Sequence, residues 1–467
     1  MAVTTTPVDD GALNGFGERL HGEVLRPEDP NYDDARAVWN GMIDKYPAFI
    51  VRSRGVSDVI AAVNFARDHD LALAVRGGGH NIAGNAVCDD GLMLDLSAMR
   101  SVRVDPEERT ARVEPGATLA DFDHETQAFG LATPLGINST TGIAGLTLGG
   151  GFGWLTRTYG MTVDNLRSVD IVTADGELHH ASEAENPDLF WGVRGGGGNF
   201  GVVTAFEFDL HEVGPEVLAG LVVYHGADAP DVLRHIRDHN ENAPDESTVW
   251  AVLRKAPPLP FLPEDVHGED VLVVIPFYAG DVAEGEAVLA PIREYGDPIV
   301  DTVGPHRYAA FQQAFDPLLT EGARNYWKSH NFRELSDEAI DTAVEYARNL
   351  PSMQSEIFFA QLGGAMARVS TDETAFPHRD AAYGMNVHTR WEDPAMDDDC
   401  IAWSREFYDA MRPYATGGVY VNFVSEREGE ENIAYGDNYD RLAEIKATYD
   451  PENLFRTNQN VEPTPAR

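Results

Sequence analysis

Apolar residues recur at helical spacing through residues 56–66, where Val59, Ile60, Val63 and Ala66 share one side and Ser57 stands at the start. That pattern predicts a serine-capped amphipathic helix. Residues 71–75, LALAV, then form a short unbroken apolar run of the kind that makes a buried strand, closed by Arg76-Gly77-Gly78-Gly79-His80. Residues 92–96 and 109–116 read as further strands. Helix and strand interleave in short units, which predicts an α+β or α/β organisation. Past Gly214 the texture changes: residues 271–277 and 356–362 read as strands and residues 336–350 as a helix. This predicts a second domain built on an antiparallel sheet. Residues 439–449 are helical until Asp450-Pro451 breaks the pattern.

Composition narrows the picture. At roughly 150 residues per domain, 467 residues correspond to two or three domains. Lys+Arg 35 against Asp+Glu 77 gives a net charge of −42, which excludes nucleic acid and anionic membrane surfaces as partners, because phosphate binding needs clustered cations. Lys45, Lys255, Lys328 and Lys446 are the only lysines. Such acidity resembles proteins of halophilic microbes, where salt screens self-repulsion, and predicts loss of structure on dialysis to low salt. No stretch reaches the ~20 apolar residues of a membrane span, and the start MAVTTTPVDDGALNGFG has no basic and apolar leader, so a cytoplasmic protein is expected. Cys88 and Cys400 build no disulfide framework. The histidines show no metal-ligand spacing, and the adjacent His179 and His180 point to opposite sides of a strand end. No metal is expected.

Three glycine-rich stretches carry the chemistry: residues 76–80, the segment TPLGINSTTGIAGLTLGGGFG, and residues 195–201. Glycine at that density implies that bare backbone approaches something closely. Gly196, Gly198 and Gly201 satisfy the GxGxxG spacing, but that fingerprint should open a helix. Here Val202 to Leu210 alternate as a strand, which argues against a nicotinamide-type dinucleotide fold. The 76–80 loop is either a tight turn with an incidental histidine or a phosphate-cradling loop presenting one imidazole. Three such stretches together imply an extended phosphorylated ligand.

The segments VRGGGHN, PLGINSTTGIAGLTLGGGFGWLTRTYGMTVDNL, DLFWGVRGGGGNFGVV and YDPENLFRTNQNV, in that order, resemble the FAD-linked oxidases of the berberine bridge enzyme group, within the vanillyl-alcohol-oxidase (PCMH-type) flavoproteins. The resemblance implies an α+β fold with a two-part FAD-binding domain over residues 1–215 (core 43–213). A substrate domain with a helix-flanked antiparallel sheet would cover 216–425, and residues 426–467 would return to the FAD domain. It implies covalent FAD on His80 through the flavin 8α-methyl, with Arg76, Gly77, Gly78, Gly79 and Asn81 around the pyrophosphate. Gly136, Ile137, Ser139, Thr140, Thr141 and Gly142 form the second loop, followed by Gly145, Gly149, Gly150 and Gly153. Gly201, Val203, Asn422, Gln459 and Asn460 complete the implied cofactor set. Many members add a cysteinyl link where this chain has Asn138, so a single link is expected. Thr141 matches a position held to gate oxygen, which favours O2 as acceptor.

On the substrate side, Asn386 and His388 share one side of the predicted strand 383–391, and Tyr420 lies in 418–423, a segment resembling the family's second substrate-facing strand. Each is either at the reacting carbon or merely satisfying neighbouring polar groups. Tyr420 is the first expectation for the base and His388 the second, because a phenol needs its pKa lowered to act and an imidazole does not. The expected activity is oxidation of an alcohol or hemiacetal, in a sugar or an aromatic metabolite, with hydride passing to flavin N5 and hydrogen peroxide formed. A flavin-containing binding protein without turnover and a dehydrogenase using a quinone or dye remain the rivals.

Overall fold

The computed structural model describes residues 8–426 and 431–464. Residues 1–7, part of the start expected to carry no leader, and residues 427–430 and 465–467 of the C-terminal segment lie outside the described residues. No helix among the described residues is long and apolar enough to cross a membrane.

Two small sheets come first. Strands Glu23–Leu25, Phe49–Arg52, Leu92–Asp95 and Leu73–Arg76 lie in that order, and Leu92–Asp95 pairs in parallel with both its neighbours. Helix Val56–Asp68 connects two of them and buries Val59, Val63 and Ala66. Its N-cap is Gly55, and no side chain caps it. Ser57 therefore lies inside the first turn, two positions too late to cap. Asp58 takes over the local satisfaction, accepting from the backbone N–H groups of His21, Gly22 and Arg54 at 2.9–3.0 Å. The second sheet is antiparallel and runs Val102–Asp105, Thr110–Val113, Val202–Asp209, Leu166–Val172, Leu178–Ser182. The strand after the GxGxxG spacing is thus Val202–Asp209, as its alternation predicts.

The third sheet has nine strands. Its main path, from Val222–His225 through Asp270–Tyr278, Ser247–Lys255, Glu356–Gln361 and Tyr383–Trp391 to Arg324–Phe332, is antiparallel at every step. Helices Ala229–Asn240, Val282–Arg293, Asp337–Ala347 and Asp397–Met411 cover one side, where Val249, Ala251, Leu253, Ile357, Phe359, Met385 and Val387 form the largest apolar core. The residues between them in each strand point the other way, toward the glycine loops. The predicted helix 336–350 is Asp337–Ala347, capped by Ser336 Oγ on the Ala339 N–H at 3.2 Å. The α+β fold with a helix-flanked antiparallel sheet is as expected.

The segment 418–423 departs from expectation: it is no strand but a single 3-10 turn, Val421–Phe423. It meets strand Arg324–Phe332 only at isolated points, the Tyr420 N–H donating to Ser329 Oγ at 2.8 Å and the Gly418 carbonyl accepting from the Asn331 N–H at 3.1 Å.

Helix Tyr439–Tyr449 packs on the core of the second sheet through Leu442, Ala443 and Ile445. It is pinned by a fully buried ion pair, Lys446 Nζ to Asp450 at 2.7 Å. Lys446 also donates to the carbonyls of Asn199 and Phe455 at 2.7 and 2.9 Å, and Asp450 accepts from the N–H groups of Leu454 and Phe455. This network ties the C-terminal segment to the glycine run at 195–201. Lys446→Met leaves a desolvated carboxylate without its cation, a class of change that costs about 3–5 kcal/mol. The expected result is a correspondingly lower chemical-denaturation midpoint; an unchanged midpoint would show the pair to be energetically idle.

Candidate active site

Between the glycine loops and the open side of the nine-stranded sheet lies a cavity of about 380 Å³. The first loop extends strand Leu73–Arg76 and meets the second backbone to backbone. A Cβ on Gly78 would lie 2.4 Å from the Gly142 nitrogen, and one on Gly142 would lie 2.3 Å from the Gly78 nitrogen. Only glycine at both positions allows that contact. Gly77, Gly78, Gly79, His80 and Asn81 line one end of the cavity with Gly136, Ile137, Asn138, Thr141, Gly142, Gly145 and Gly149. Gly201, Val203, Asn422 and Gln459 complete this wall.

Six expected cofactor residues do not line it, each for a visible reason. Arg76 turns its guanidinium to the Ala35 carbonyl at 2.7 Å. Ser139 is held by Asp316, which accepts from its N–H at 2.9 Å and its Oγ at 2.5 Å. Thr140 is exposed, with its Oγ 3.1 Å from His80 Nε2. Gly150 packs on Met161 and Phe376, and Gly153 on the Leu135 carbonyl. Asn460 donates to Glu462 at 3.1 Å, two residues on.

His80 is half-buried, and desolvation of its ring together with the nearby Arg76 charge pushes its imidazole down to about 4. The ring is therefore neutral near pH 7. It stacks on Trp39 with centroids 5.1 Å apart; Trp39 meets Trp327 edge-on at 5.7 Å, and Trp327 meets His388 at 4.5 Å. A continuous row of rings thus joins the two histidines.

Asn386 and His388 do share a side of strand Tyr383–Trp391, and both line the cavity. Across the sheet His388 pairs with Glu356, and Glu356 with Arg254. His388 Nδ1 lies 2.9 Å from Glu356 Oε1, and Arg254 donates to Glu356 Oε2 at 2.8 Å. Burial alone would raise the Glu356 carboxyl, but Arg254, His388 and Arg390 outweigh it and hold it down at about 2. A carboxylate only accepts, so Nδ1 donates to Glu356 and Nε2 is the ring nitrogen turned to the cavity. His388 Nε2 is buried with no hydrogen-bond partner.

Tyr420 also lines the cavity. Its oxygen accepts from the Gly151 N–H at 3.1 Å and from Asn422 Nδ2 at 3.0 Å. Burial nevertheless pushes the phenol up to about 12, against the downward pull of those two donors.

Sequence reading misses Glu356, Arg254, Trp327 and Trp39. Glu356 begins a strand whose alternation is legible, but its contact with His388 depends on register between strands 32 residues apart. A cluster that histidine spacing does not reveal also forms: Asp175, Glu177 and His179 bring ligand atoms within 4.8 Å of one another. It sits on the turn joining two strands, where Asp175 already accepts from Thr173 and the Glu177 N–H.

The wall fits a flavin dinucleotide on two counts. A Cβ built on Gly145 or Gly198 meets no protein atom within 4 Å, so the cavity reaches bare backbone at both. Besides His388 Nε2, three buried polar atoms of cavity-lining residues, Asn85 Nδ2, Trp327 Nε1 and Asn386 Oδ1, lack protein partners, a condition that a polar ligand relieves. Gly145→Val projects a side chain into that space without touching protein. An intruding side chain of this kind costs of order 1–3 kcal/mol, which corresponds to roughly tenfold to hundredfold weaker cofactor binding. The expected product is folded protein with little flavin absorbance at purification; full flavin content would place the ligand elsewhere.

Comparison with known proteins agrees with this geometry. The FAD binding domain family matches residues 47–182, and the berberine and berberine-like family matches residues 419–462. An FAD-linked oxidoreductase of Dictyostelium discoideum is 31% identical, covering 97% of both chains. The (R)-6-hydroxynicotine oxidase of Paenarthrobacter nicotinovorans is 31% identical over 95% of this chain and 97% of its own. Among solved structures, 6-hydroxy-D-nicotine oxidase from Arthrobacter nicotinovorans superposes with a TM-score of 0.86 at 28% identity, over 95% of this chain and 98% of that one. Glucooligosaccharide oxidase from Acremonium strictum gives 0.87 at 26%, over 97% and 99%. With its cofactor cavity, its fold and relatives that align end to end, the chain belongs to the berberine-bridge-enzyme-like FAD-linked oxidoreductases, and it is an enzyme.

Proposed function

We propose that this enzyme oxidises an alcohol or hemiacetal carbon, using FAD held covalently by His80 alone and O2 as the final acceptor. The observation that carries the reading is the His388–Glu356 pair, with His388 Nε2 at the cavity wall and without a protein hydrogen-bond partner. Bound FAD supplies a hydride acceptor whose electrons pass to O2, giving hydrogen peroxide.

The chain's own groups do the rest. His388 Nε2 takes the proton of the substrate hydroxyl while the neighbouring C–H leaves as hydride, so the alcohol becomes a carbonyl. Glu356, held ionised by Arg254, fixes the tautomer and stabilises the imidazolium that forms. Asn386 Oδ1 accepts a hydrogen bond from the substrate. The base assignment therefore passes from Tyr420 to His388. Tyr420, with its high pKa, instead joins the 149–153 loop to the 418–423 segment. Asn138 supports a single attachment: its side chain accepts from the Thr140 N–H and Oγ, and buried Cys88 and Cys400 lie outside the cavity wall. The Acremonium strictum glucooligosaccharide oxidase is described, by contrast, as having 6-S-cysteinyl, 8α-N1-histidyl FAD.

The test uses the purified holoenzyme. Anaerobic addition of an alcohol should bleach the flavin, and air should restore it with stoichiometric peroxide. Restoration by a quinone or dye but not by air would make the enzyme a dehydrogenase. Failure of a broad alcohol and sugar panel to bleach the flavin would overturn the reading.

A further inference from the structure

The polar groups of the reaction centre occupy only part of the cavity. Following the strand register outward from His388, the row runs His388, Glu356, Arg254, Val271. The parallel row runs Asn386, Phe358, Val252, Val273, Val223. The sheet surface thus changes from polar to wholly aliphatic between its third and fourth strands. At about 4.8 Å per strand, Val271 lies about 14 Å from His388. The 257–262 loop packs on these strands, Leu259 and Leu262 joining Val223, Val271 and Val273 in one apolar cluster, and with Phe261, Leu318 and Leu319 they line the cavity. Arg254, at the boundary, is committed to Glu356. Beyond it, none of the lining side chains of these strands and loops carries a polar atom. Phe261 stands at this end, 41% exposed, so the apolar lining continues to the surface.

From this we infer the substrate class, resting on the proposed alcohol oxidation: an alcohol whose reacting carbon sits at His388 and whose remaining skeleton, aryl or alkyl, is apolar and fills the aliphatic limb. A sugar is the wrong occupant. Each hydroxyl placed in the limb loses its water and finds no donor or acceptor, a deficit worth roughly tenfold to hundredfold in affinity per group. An apolar tail gains instead, by about fourfold per methylene buried.

The experiment uses the full-length holoenzyme and anaerobic flavin bleaching. Benzyl, para-butylbenzyl and para-octylbenzyl alcohols are compared with glucose and cellobiose. Reduction at low substrate concentration should rise steeply along the benzyl series and be weakest with the sugars. Leu259→Gln should flatten the dependence on tail length. Equal rates along the series, or faster bleaching by cellobiose, overturn the inference. If no alcohol bleaches the flavin, the oxidation reading has failed by itself. The limb is then judged by titrating toluene, butylbenzene and octylbenzene against the flavin absorbance band: tighter binding with tail length supports it, and a flat response overturns it.

Discussion

His388→Ala lowers the rate of flavin reduction by about a hundredfold to ten-thousandfold, the range that a positioned general base supplies, while FAD stays bound. The reasoning is geometric. Nε2 is a buried ring nitrogen at the cavity wall with no protein hydrogen-bond partner, and the ring is oriented by its Nδ1, which lies 2.9 Å from Glu356 Oε1. Glu356→Gln should be nearly as damaging with the shape preserved. Its amide NH2 donates to Nδ1 and so moves the imidazole proton onto Nε2, which then cannot accept one. Because the two residues act as a unit, the double variant should be little worse than either single one. Tyr420→Phe should retain much more activity than either, since its phenol has the wrong pKa for a base. Rapid-reaction bleaching of the flavin reads all four proteins. If His388→Ala reduces its flavin at the wild-type rate while Tyr420→Phe does not, the assignment reverses.

The pH behaviour of the pair follows from its charge. The Glu356 carboxyl lies below its ordinary value of 4.5, near 2. Its ion pair therefore contributes in full above about pH 4.5 and is lost as pH falls through that interval.

The second large effect is expected at His80. In the wild type, acid precipitation should leave the yellow colour in the pellet, on a peptide containing His80. His80→Ala should release all of it to the supernatant, with some FAD still bound non-covalently through the glycine loops. The neutral imidazole is what makes attachment feasible, since a protonated ring has no free lone pair to bond with. In the flavin-free protein that depressed basicity, from 6.5 to about 4, has a sign of its own: stability is complete above pH 6.5 and declines as pH falls toward 4. His80→Ala lacks that decline. Colour in the wild-type supernatant would refute the covalent link without disturbing the family assignment.

Much of the fold was legible because it is local. Strand Tyr383–Trp391 and helix Tyr439–Tyr449 stand where alternation and helical spacing put them, since side-chain periodicity is a property of the chain segment itself. The helix near residue 57 was legible but its cap was not: a serine at the start of an apolar pattern signals a cap, yet Gly55 holds the position and Asp58 satisfies the neighbouring backbone. Segment 418–423 misled for a related reason. Its apolar alternation suits a strand, but it meets strand Arg324–Phe332 only at isolated points and forms no ladder, which no local pattern records.

The sequence by itself determined the glycine loops, the histidine among them and the absence of a cysteine at position 138, because a bare backbone and a missing thiol are properties of single positions. Tertiary structure alone supplied the geometry on which the proposed base rests. It depends on a carboxylate 32 residues away in sequence arriving 2.9 Å from one ring nitrogen, and on the other nitrogen having no protein partner. Register between strands and burial belong to the assembled chain, and residue identity alone does not supply them.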